Sequence, residues 1–355
     1  MHILILNWRD PHHPLAGGAE AMLLEHVHYW QKKGADVTWI GTSFKGAKKH
    51  ETFEGIKIIR FGSEYTVHLF VFLSFLIGEF KDIDIVIDCF HFIPFFTPLY
   101  MKKRKIFALI HEVAGEVWYK NMPFLFAFIG EKLEPLFFKL YKSIRFITVS
   151  DSTKMELEGL GVEASQITII PNGVRIPKRI LGKKEKTPTL LFLGRISHDK
   201  GIIDVLDAFK QLKKRFPKIK LWIAGKQENK NLLKNLPKDA IYLGFVSEDK
   251  KYQLLKKSWI LVHPSLKEGW GLTVIEANSV GTPVVGYNVM GLRDSIQNEK
   301  TGLLVDSTVN SLIEGVSLLL ENKKMYNKLS QNAQNWASRF EWEKSVKKSW
   351  QLLKK

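Results

Sequence analysis

Two glutamates, eight residues apart, are the strongest candidates for chemistry in this sequence. Glu268 follows an apolar strand, and Glu276 lies about one turn into the next helix. The turn between them, residues 269–273, would present backbone amides at a helix start, which is a favourable place for a phosphate. Carboxylates beside such amides can accept the hydroxyl groups of a sugar. The same pair also fits the acid and nucleophile of a glycoside hydrolase, or two solvated residues at a helix start.

Two cations form a second candidate site. Gly194-Arg195 ends a predicted strand, and Lys200 follows five residues later, just before a helix. Arginine offers a fixed fork of donors and lysine a mobile point charge, a pair that suits a diphosphate. The alternative is that both are ordinary surface residues at a strand end.

A glycine pair and a histidine complete the candidates. Gly17-Gly18 lies between the first strand and the first helix, but it is not part of a G-x-G-x-x-G motif. No clear ribose-binding acid follows the second strand, so an NAD site is disfavoured. The pair also fits a simple turn, and His111, at the end of another strand, also fits a structural role.

The elements that must position these residues alternate between apolar runs of strand length and helical patterns. Strands are predicted at 3–7, 37–41, 83–88, 106–111, 146–150, 167–170, 190–193, 221–224, 241–243, 260–263 and 284–286. Helices are predicted at 19–33, 203–216, 248–257, 273–280, 309–321, 324–339 and 343–353. The strands are continuously apolar, as strands buried on both faces must be, so the pattern indicates parallel sheets covered by helices. We therefore expect an α/β architecture.

The length of 355 residues favours two domains. Residues 176–188 contain two prolines and a cluster of charge, which is typical of an interdomain linker. We expect an N-terminal domain at 1–176, joined by residues 341–355, and a C-terminal domain at 177–340.

The run from Glu268 to Ala277 resembles the E-x7-E signature of the retaining nucleotide-sugar glycosyltransferases of family 4. Supporting segments follow in the family's order at 17–20, 150–152, 171–174, 194–201, 281–285 and 298–304. The resemblance therefore spans nearly the whole chain. It implies the GT-B fold: two Rossmann-like parallel-sheet domains facing a central cleft, with a C-terminal helix crossing back to the first domain.

The resemblance also implies roles for the candidates. Arg195 and Lys200 would neutralise the departing diphosphate. Glu276 would bind the ribose hydroxyls, and Glu268 would hold hydroxyls of the donor sugar. The Gly18 amide would approach the phosphate from the other domain. The full set implied to bind the donor is Gly17, Gly18, Gly194, Gly269, Trp270, Gly271, Leu272, Thr273 and Glu276.

His111 matches the family's histidine near the donor sugar and the attacking acceptor. An aspartate often follows that histidine in the family, whereas Glu112 directly follows His111 here. The role of Glu112 stays open. The implied donor is a nucleotide sugar such as a UDP- or GDP-sugar.

No metal or other cofactor is expected. Breaking a glycosyl-phosphate bond builds negative charge on the leaving group, which fixed cations and helix-start amides can stabilise. The Asp82-Ile83-Asp84 motif begins an apolar strand rather than ending it, so we interpret it as structural. We expect transfer with retention at the anomeric carbon.

Two other function classes stay open. One is a GT-B nucleotide-sugar enzyme of different chemistry, such as an epimerase or phosphorylase, although nothing resembles a pyridoxal-phosphate lysine site. The other is an inactive nucleotide-sugar-binding subunit, which the intact Arg195, Lys200, Glu268 and Glu276 disfavour.

The composition of the sequence limits the cellular compartment and the kinds of partner to be expected for this protein. One cysteine, Cys89, excludes an internal disulfide and a cysteine-based metal cluster. The N-terminus has no signal-peptide pattern and the most apolar stretch, 65–78, is too short to cross a membrane, so we expect a cytoplasmic protein. The net charge of +17 favours polyanionic partners in general. A nucleic-acid substrate is disfavoured because no RNA- or DNA-binding module pattern is present.

Fifteen of the 23 phenylalanines fall between Phe61 and Phe138, with a basic run at 102–105 among them. Aromatic residues beside lysines suit peripheral docking on the cytoplasmic face of an anionic membrane. The alternative is that they pack helices onto the sheet or form a dimer contact. The acceptor, whether lipid-linked or a glycan, and the oligomeric state are not encoded in any motif.

Overall fold

The computed structural model describes residues 1–115, 118–119, 123–175, 182–227 and 229–355. These residues form two compact units, Met1–Asn172 with Trp342–Lys355, and Gly173–Glu341. The expected domain boundary at 176/177 and the first part of the expected linker fall on residues 176–181, outside the described residues, as does Glu116 in the segment after His111.

The first unit is built on an eight-stranded sheet with the strand order β3-β4-β2-β1-β5-β6-β7-β8. Its strands are β1 (His2–Leu6), β2 (Asp36–Thr42), β3 (His50–Phe53), β4 (Ile56–Phe61), β5 (Ile85–Phe90), β6 (Lys105–Ile110), β7 (Arg145–Thr148) and β8 (Ile167–Ile169). Its helices are α1 (Gly18–Lys32), α2 (Val67–Leu76), α3 (Thr97–Tyr100), α4 (Phe124–Leu140) and α5 (Asp151–Gly159). The parallel sheet expected from the sequence is confirmed, except that β3 runs antiparallel to β4.

Burial on both faces explains this sheet. In β1 the residues from Ile3 to Leu6 are fully buried, and every residue of β5 is buried as well. Asp82-Ile83-Asp84 precedes the amino end of β5, and Asp84 Oδ2 accepts a hydrogen bond from the His2 backbone at 2.8 Å. The motif lies at the opposite end of the strand from the ligand-binding edge of a parallel sheet, as predicted.

The last helix, α12 (Trp342–Lys354), belongs to the first unit and packs on α1. One hydroxyl joins the two helices: Ser349 Oγ lies 2.8 Å from His26 Nδ1 and accepts a hydrogen bond from Trp30 Nε1 at 3.0 Å. The chain thus returns to its first unit after completing the second, as the resemblance implies.

The second unit has a wholly parallel sheet in the order β11-β10-β9-β12-β13-β14. Its strands are β9 (Thr189–Leu193), β10 (Lys220–Ala224), β11 (Ala240–Tyr242), β12 (Ile260–His263), β13 (Val284–Tyr287) and β14 (Gly302–Val305). Its helices are α6 (Ile202–Arg215), α7 (Glu248–Lys257), α8 (Leu272–Ser279), α9 (Leu292–Ser295), α10 (Val309–Glu321) and α11 (Lys323–Ala337). Within the described residues of both units, no helix is long and apolar enough to cross a bilayer.

Candidate active site

Glu268, in the loop after β12, is the centre of a polar network in the second unit. Its Oε1 atom lies 2.7 Å from Lys200 Nζ, 3.1 Å from His263 Nε2 and 2.8 Å from Ser265 Oγ. Burial raises the pKa of the Glu268 carboxyl. The Lys200 ammonium and the hydrogen bond with His263 lower this pKa by more than burial raises it, so the net pKa lies below its usual range. Glu268 is therefore a carboxylate with one oxygen fully engaged.

Two glycines allow the loops that carry this network to approach closely. Gly201 has φ +73°, and a Cβ on it would lie 2.1 Å from the Pro264 carbonyl oxygen. Gly291 has φ +76°, and a Cβ on it would lie 2.0 Å from the Glu268 carbonyl oxygen. Only glycine fits such positions without a shift of the backbone, so these residues fix Lys200 and Glu268 side by side.

Arg195 lies on the same β9–α6 loop as Lys200. Its Nη2 atom is 3.2 Å from Asp199 Oδ2, and about half of its side chain is exposed. Gly194, just before it, donates its backbone N–H to the Ala224 carbonyl at 3.0 Å. The two cations predicted to bind a diphosphate thus share one loop at the carboxyl end of β9, and Lys200 is already paired with Glu268.

Glu276, on the first turns of α8, is buried and paired with a residue that the sequence did not single out. Lys251 Nζ, from α7, lies 2.6 Å from Glu276 Oε1 and 2.7 Å from Glu248 Oε1. Burial raises the pKa of Glu276 above its ordinary value, and the Lys251 ammonium partly offsets that rise. In the sequence, Lys251 lies within a charged helical run and resembles a solvated surface residue. Its contact with Glu276 follows only from the packing of α7 against α8.

The turn between the two glutamates leads into α8 as the sequence predicts. Gly271 is the N-cap residue with φ +79°, and among the described residues no side chain caps this helix. The Trp270 side chain points into the protein, where it is 6% exposed and packs edge-on against Phe340 at 5.1 Å between ring centroids. Leu272 and Thr273 then form the first helical turn. What this segment offers a ligand is therefore its backbone.

In the first unit, the Gly17-Gly18 turn leads into α1 beside a buried carboxylate. Glu20 Oε2 accepts the Gly17 backbone N–H at 2.8 Å, and Glu20 Oε1 lies 3.0 Å from Arg9 Nε. A Cβ on either glycine would meet nothing within 4 Å, and neither φ is left-handed. The fold itself therefore does not require glycine at these two positions.

His111 directly follows β6, and its carbonyl accepts the Thr153 hydroxyl at 2.9 Å. Burial, with a smaller contribution from the Arg9 cation, lowers the pKa of His111 to about 4. His91 Nε2 lies 3.7 Å from Glu20 Oε1, and burial lowers its pKa as well. The imidazole of His111 is therefore neutral near pH 7 and can accept a proton or a hydrogen bond.

Arg9 and His91 were not predicted as site residues. Each follows a buried strand, β1 or β5, at its carboxyl end, which was the available signal. The sequence analysis missed both residues because they belong to no common motif. They lie near Glu20 because β1 and β5 are neighbours in the sheet.

Two family models match the chain in succession. Residues 16–176 match the model described as Glycosyltransferase Family 4, and residues 175–336 match the model described as Glycosyl transferases group 1. Among curated proteins, an uncharacterized glycosyltransferase of Methanocaldococcus jannaschii is 28% identical over 60% of this chain and 60% of its own length. A glycogen synthase of Mycobacterium tuberculosis is 28% identical over 57% of this chain and 52% of its own. The chain thus matches only about half to three fifths of the length of these relatives.

Solved structures share the fold over the full length. A sucrose-phosphate synthase from Thermosynechococcus elongatus has a TM-score of 0.82 at 18% identity, covering 99% of this chain and 98% of that one. The Anabaena protein HepE, in complex with UDP and glucose, has a TM-score of 0.78 at 17% identity, covering 100% and 99%. The fold is GT-B, with two Rossmann-like parallel-sheet domains. The chain belongs to the family 4 glycosyltransferases.

Proposed function

We propose that this protein transfers a sugar from a nucleotide diphosphate sugar to an acceptor hydroxyl, with retention at the anomeric carbon. The network of Lys200, His263 and Ser265 around Glu268 is the observation that carries the proposal. This cluster holds a lysine cation, which could bind a diphosphate, beside a carboxylate, which could bind sugar hydroxyls. HepE, of the same fold, is described with UDP and with UDP-glucose bound, which supports a nucleotide-sugar donor.

The chemistry asked of these residues is electrostatic. As the glycosyl-phosphate bond breaks, negative charge grows on the leaving diphosphate, where Arg195, Lys200 and the amides before α8 would stabilise it. Glu268 would hold donor hydroxyls through Oε2, because its Oε1 contacts Lys200, His263 and Ser265, and Glu276 would bind the ribose. His111 would lie beside the reacting sugar and the acceptor.

A panel of UDP-, GDP- and ADP-sugars tests the proposal. The matching donor should raise the melting temperature by mass action and should be hydrolysed slowly without acceptor. With an acceptor supplied, the sugar should leave the nucleotide permanently, and the product should keep the donor's anomeric configuration by NMR. An epimerised sugar still attached to the nucleotide would instead establish the epimerase alternative, and binding without turnover would establish the inactive subunit.

We propose that the transfer needs no metal. The support is that Arg195 and Lys200 share one loop, and that backbone amides lie before α8, so the chain itself carries groups that can balance the diphosphate charge. Activity should survive EDTA. Loss of activity in EDTA that manganese restores would contradict the proposal.

We also propose that the protein docks peripherally on the cytoplasmic face of an anionic membrane, through an apolar face of the first unit. We define this apolar face by Leu69 and Phe72 of α2, and by Phe124, Leu125, Phe126 and Phe128 of α4. Their exposed fractions run from 38% to 76%. By contrast, α4 packs onto the unit through a separate stripe of buried residues at Ala127, Gly130, Glu134 and Phe138.

Contacts through one loop join the two helices of the apolar face. Phe95 stacks on His68 of α2 at 4.5 Å between centroids, and the next residue, Phe96, packs edge-on against Phe137 of α4 at 5.4 Å. Lys102 and Lys103, after α3, are exposed. Exposed aromatic residues beside lysines match the chemistry of an anionic bilayer surface. The packing alternative holds for other phenylalanines of this region, such as Phe90 and Phe138, which are buried.

Liposome sedimentation tests the docking. The protein should sediment with anionic liposomes at low salt and be released at high salt, because salt screens the lysines. Phe126→Asp should weaken sedimentation, whereas Phe245→Asp, an exposed phenylalanine of the second unit, should not. Absence of binding at low salt, or equal loss in both variants, would contradict the proposal.

A further inference from the structure

A groove of about 740 Å³ opens in the first unit at the carboxyl ends of β2 and β4. One wall is formed by Phe70 and Leu73 of α2 and by Ile77, the residue that caps this helix. Phe61, the last residue of β4, stacks on Phe70 with 6.3 Å between ring centroids. The volume is that of a small-molecule site, and these walls suit a hydrocarbon chain.

Two residues of the groove wall, Leu73 and Ile77, contribute little to holding α2 in place. This helix is anchored by Val67 and Val71, which are fully buried in a core cluster with Leu4 of β1. Leu73 and Ile77 are 44% and 75% exposed. Contiguous exposed apolar surface of this kind marks an interaction site rather than a packing requirement.

The rim of the groove is basic. Three exposed lysines, Lys45, Lys48 and Lys49, lie in the loop between β2 and β3, and Lys49 lines the groove itself. Arg60, in the wall, is buried and already paired with Asp10 at 2.7 Å and with Glu51 at 2.7 Å. Even with Glu79 on the rim, the accessible charge is positive, so an anionic group would be attracted beside an apolar channel.

We propose that this groove binds the acceptor, and that the acceptor is a lipid anion: its hydrocarbon chain lies along Leu73 and Ile77 beside the stacked rings of Phe61 and Phe70, and its phosphate lies at the lysines of the β2–β3 loop. The inference rests on the proposed transfer reaction and names the substrate class of its acceptor. Leu69 and Phe72 of the apolar face lie on the same helix as the groove wall. A chain can therefore pass from a bilayer into the groove along α2 without crossing water.

The sheet order sets the length of the acceptor's head group. From β4 through β2, β1 and β5 to β6, where His111 follows the strand, there are four strand spacings. At about 4.8 Å each, they span roughly 19 Å. A phosphate alone cannot bridge this distance, so the lipid must carry a longer head group that presents its hydroxyl near His111. A lipid-linked saccharide has this form.

Photolabelling of the full chain tests the groove with a defined probe. Dodecyl phosphate carrying a diazirine at the chain end should label the segment 61–77, mapped by mass spectrometry. Leu73→Trp, which fills the groove, should lower this labelling about tenfold. Leu140→Trp is the matched control because it makes the same change at a leucine of α4 that is equally exposed but lies outside the groove and outside the apolar face.

The charge of the head group is tested separately. Replacing Lys45, Lys48 and Lys49 together by glutamine should weaken labelling by the phosphate probe severalfold, but not labelling by the neutral dodecanol analogue. Inorganic phosphate at millimolar concentration should not displace the probe, because the chain supplies most of the binding. Displacement by inorganic phosphate would show a simple anion site and overturn the lipid assignment.

The outcomes separate this inference from the proposed function. Leu73→Trp should retain stabilisation by the donor and slow donor hydrolysis, while its KM for a lipid-linked acceptor rises. Equal labelling of the two tryptophan variants, or labelling confined to α4, would contradict the proposal that the groove binds the acceptor. Neither result would contradict the transfer reaction. If the unaltered protein neither binds nor hydrolyses any nucleotide sugar, the proposed function fails instead.

Discussion

Lys200 Nζ lies 2.7 Å from Glu268 Oε1, and this ion pair joins two loops 68 residues apart in the sequence. The resemblance assigns the lysine to the diphosphate and the glutamate to the donor sugar. Because both groups are mostly buried, each offsets part of the desolvation cost of the other's charge. With these assignments, the leaving-group site and the sugar site would form one electrostatic unit, and a change in either residue should alter the binding of both groups.

Replacing Lys200 should have a large effect on catalysis. In Lys200→Ala the growing charge on the diphosphate loses a fixed cation, and kcat should fall by roughly 10²–10³. Lys210→Ala is the control, since Lys210 lies on the exposed face of α6 and pairs with Asp207 of the same helix. Steady-state kinetics with the identified donor measure both variants, and unchanged turnover in Lys200→Ala would overturn the assigned role.

The ion pair itself predicts non-additive stability. Lys200→Ala leaves the Glu268 carboxylate buried with less compensation, so the free energy of unfolding should fall at pH 7. In a double-mutant cycle with Glu268→Ala, urea unfolding should give a coupling energy of about 1–3 kcal/mol. Additive effects would show that the two side chains do not stabilise each other.

Lys251 is predicted to position Glu276. In Lys251→Met the pKa of Glu276 should rise further, because burial is no longer offset by the ammonium group. The protonated acid binds ribose hydroxyls less well as an acceptor, so the donor KM should rise as the pH falls from 8 to 6, with little change in kcat. Lys251→Arg should restore the original profile.

The control for this prediction is Lys250→Met, which removes the exposed neighbour on the same helix. It should leave the pH profile of the donor KM unchanged. A flat profile for Lys251→Met, or the same profile for both variants, would mean that Lys251 has only a structural role.

The Gly17-Gly18 turn gives a prediction that separates folding from binding. Gly18→Ala has space for its Cβ and an allowed backbone, so the melting temperature should not change. If the Gly18 amide approaches the donor phosphate, the added methyl group should raise the donor KM on the order of tenfold. Gly159→Ala, which also meets nothing within 4 Å, is the control and should change neither quantity. An unchanged donor KM in Gly18→Ala would exclude the close approach.

His111 should make stability depend on pH. Its pKa of about 4 lies below the ordinary value of 6.5, so the unfolded chain takes up a proton between these values that the folded chain excludes. Stability is therefore complete above pH 6.5 and declines as the pH falls towards 4. The free energy of unfolding should therefore fall between pH 7.5 and pH 5, and His111→Gln should make this fall smaller by about 1–2 kcal/mol, measured by urea unfolding.

His26 and His91, whose pKa values are also lowered by burial, should account for part of the remaining decline. His50→Gln, at an exposed position, should leave the pH dependence as it is. If His111→Gln and His50→Gln behave alike, the imidazole of His111 is not kept neutral by the fold.

Strand β3 and helix α4 are two of the elements that the sequence did not predict, and they were missed for different physical reasons. Strand β3 is short, polar and at the edge of its sheet, so its residues alternate between exposed and half-buried and resemble a loop. Helix α4 is apolar on almost all sides, so helical spacing could not tell its packing stripe from its exposed side. The exposure of Phe124 and Phe126 follows only from where the helix meets the sheet.

The sequence by itself determined the two parallel sheets, because strands buried on both faces must be continuously apolar, and it located the motifs at the carboxyl ends of those strands. It also identified Glu268 and Glu276, whose spacing is local. The tertiary structure decided which charges meet. Lys200 with Glu268 and Lys251 with Glu276 are contacts between separate elements, and a sequence encodes such contacts only through the fold that brings the elements together.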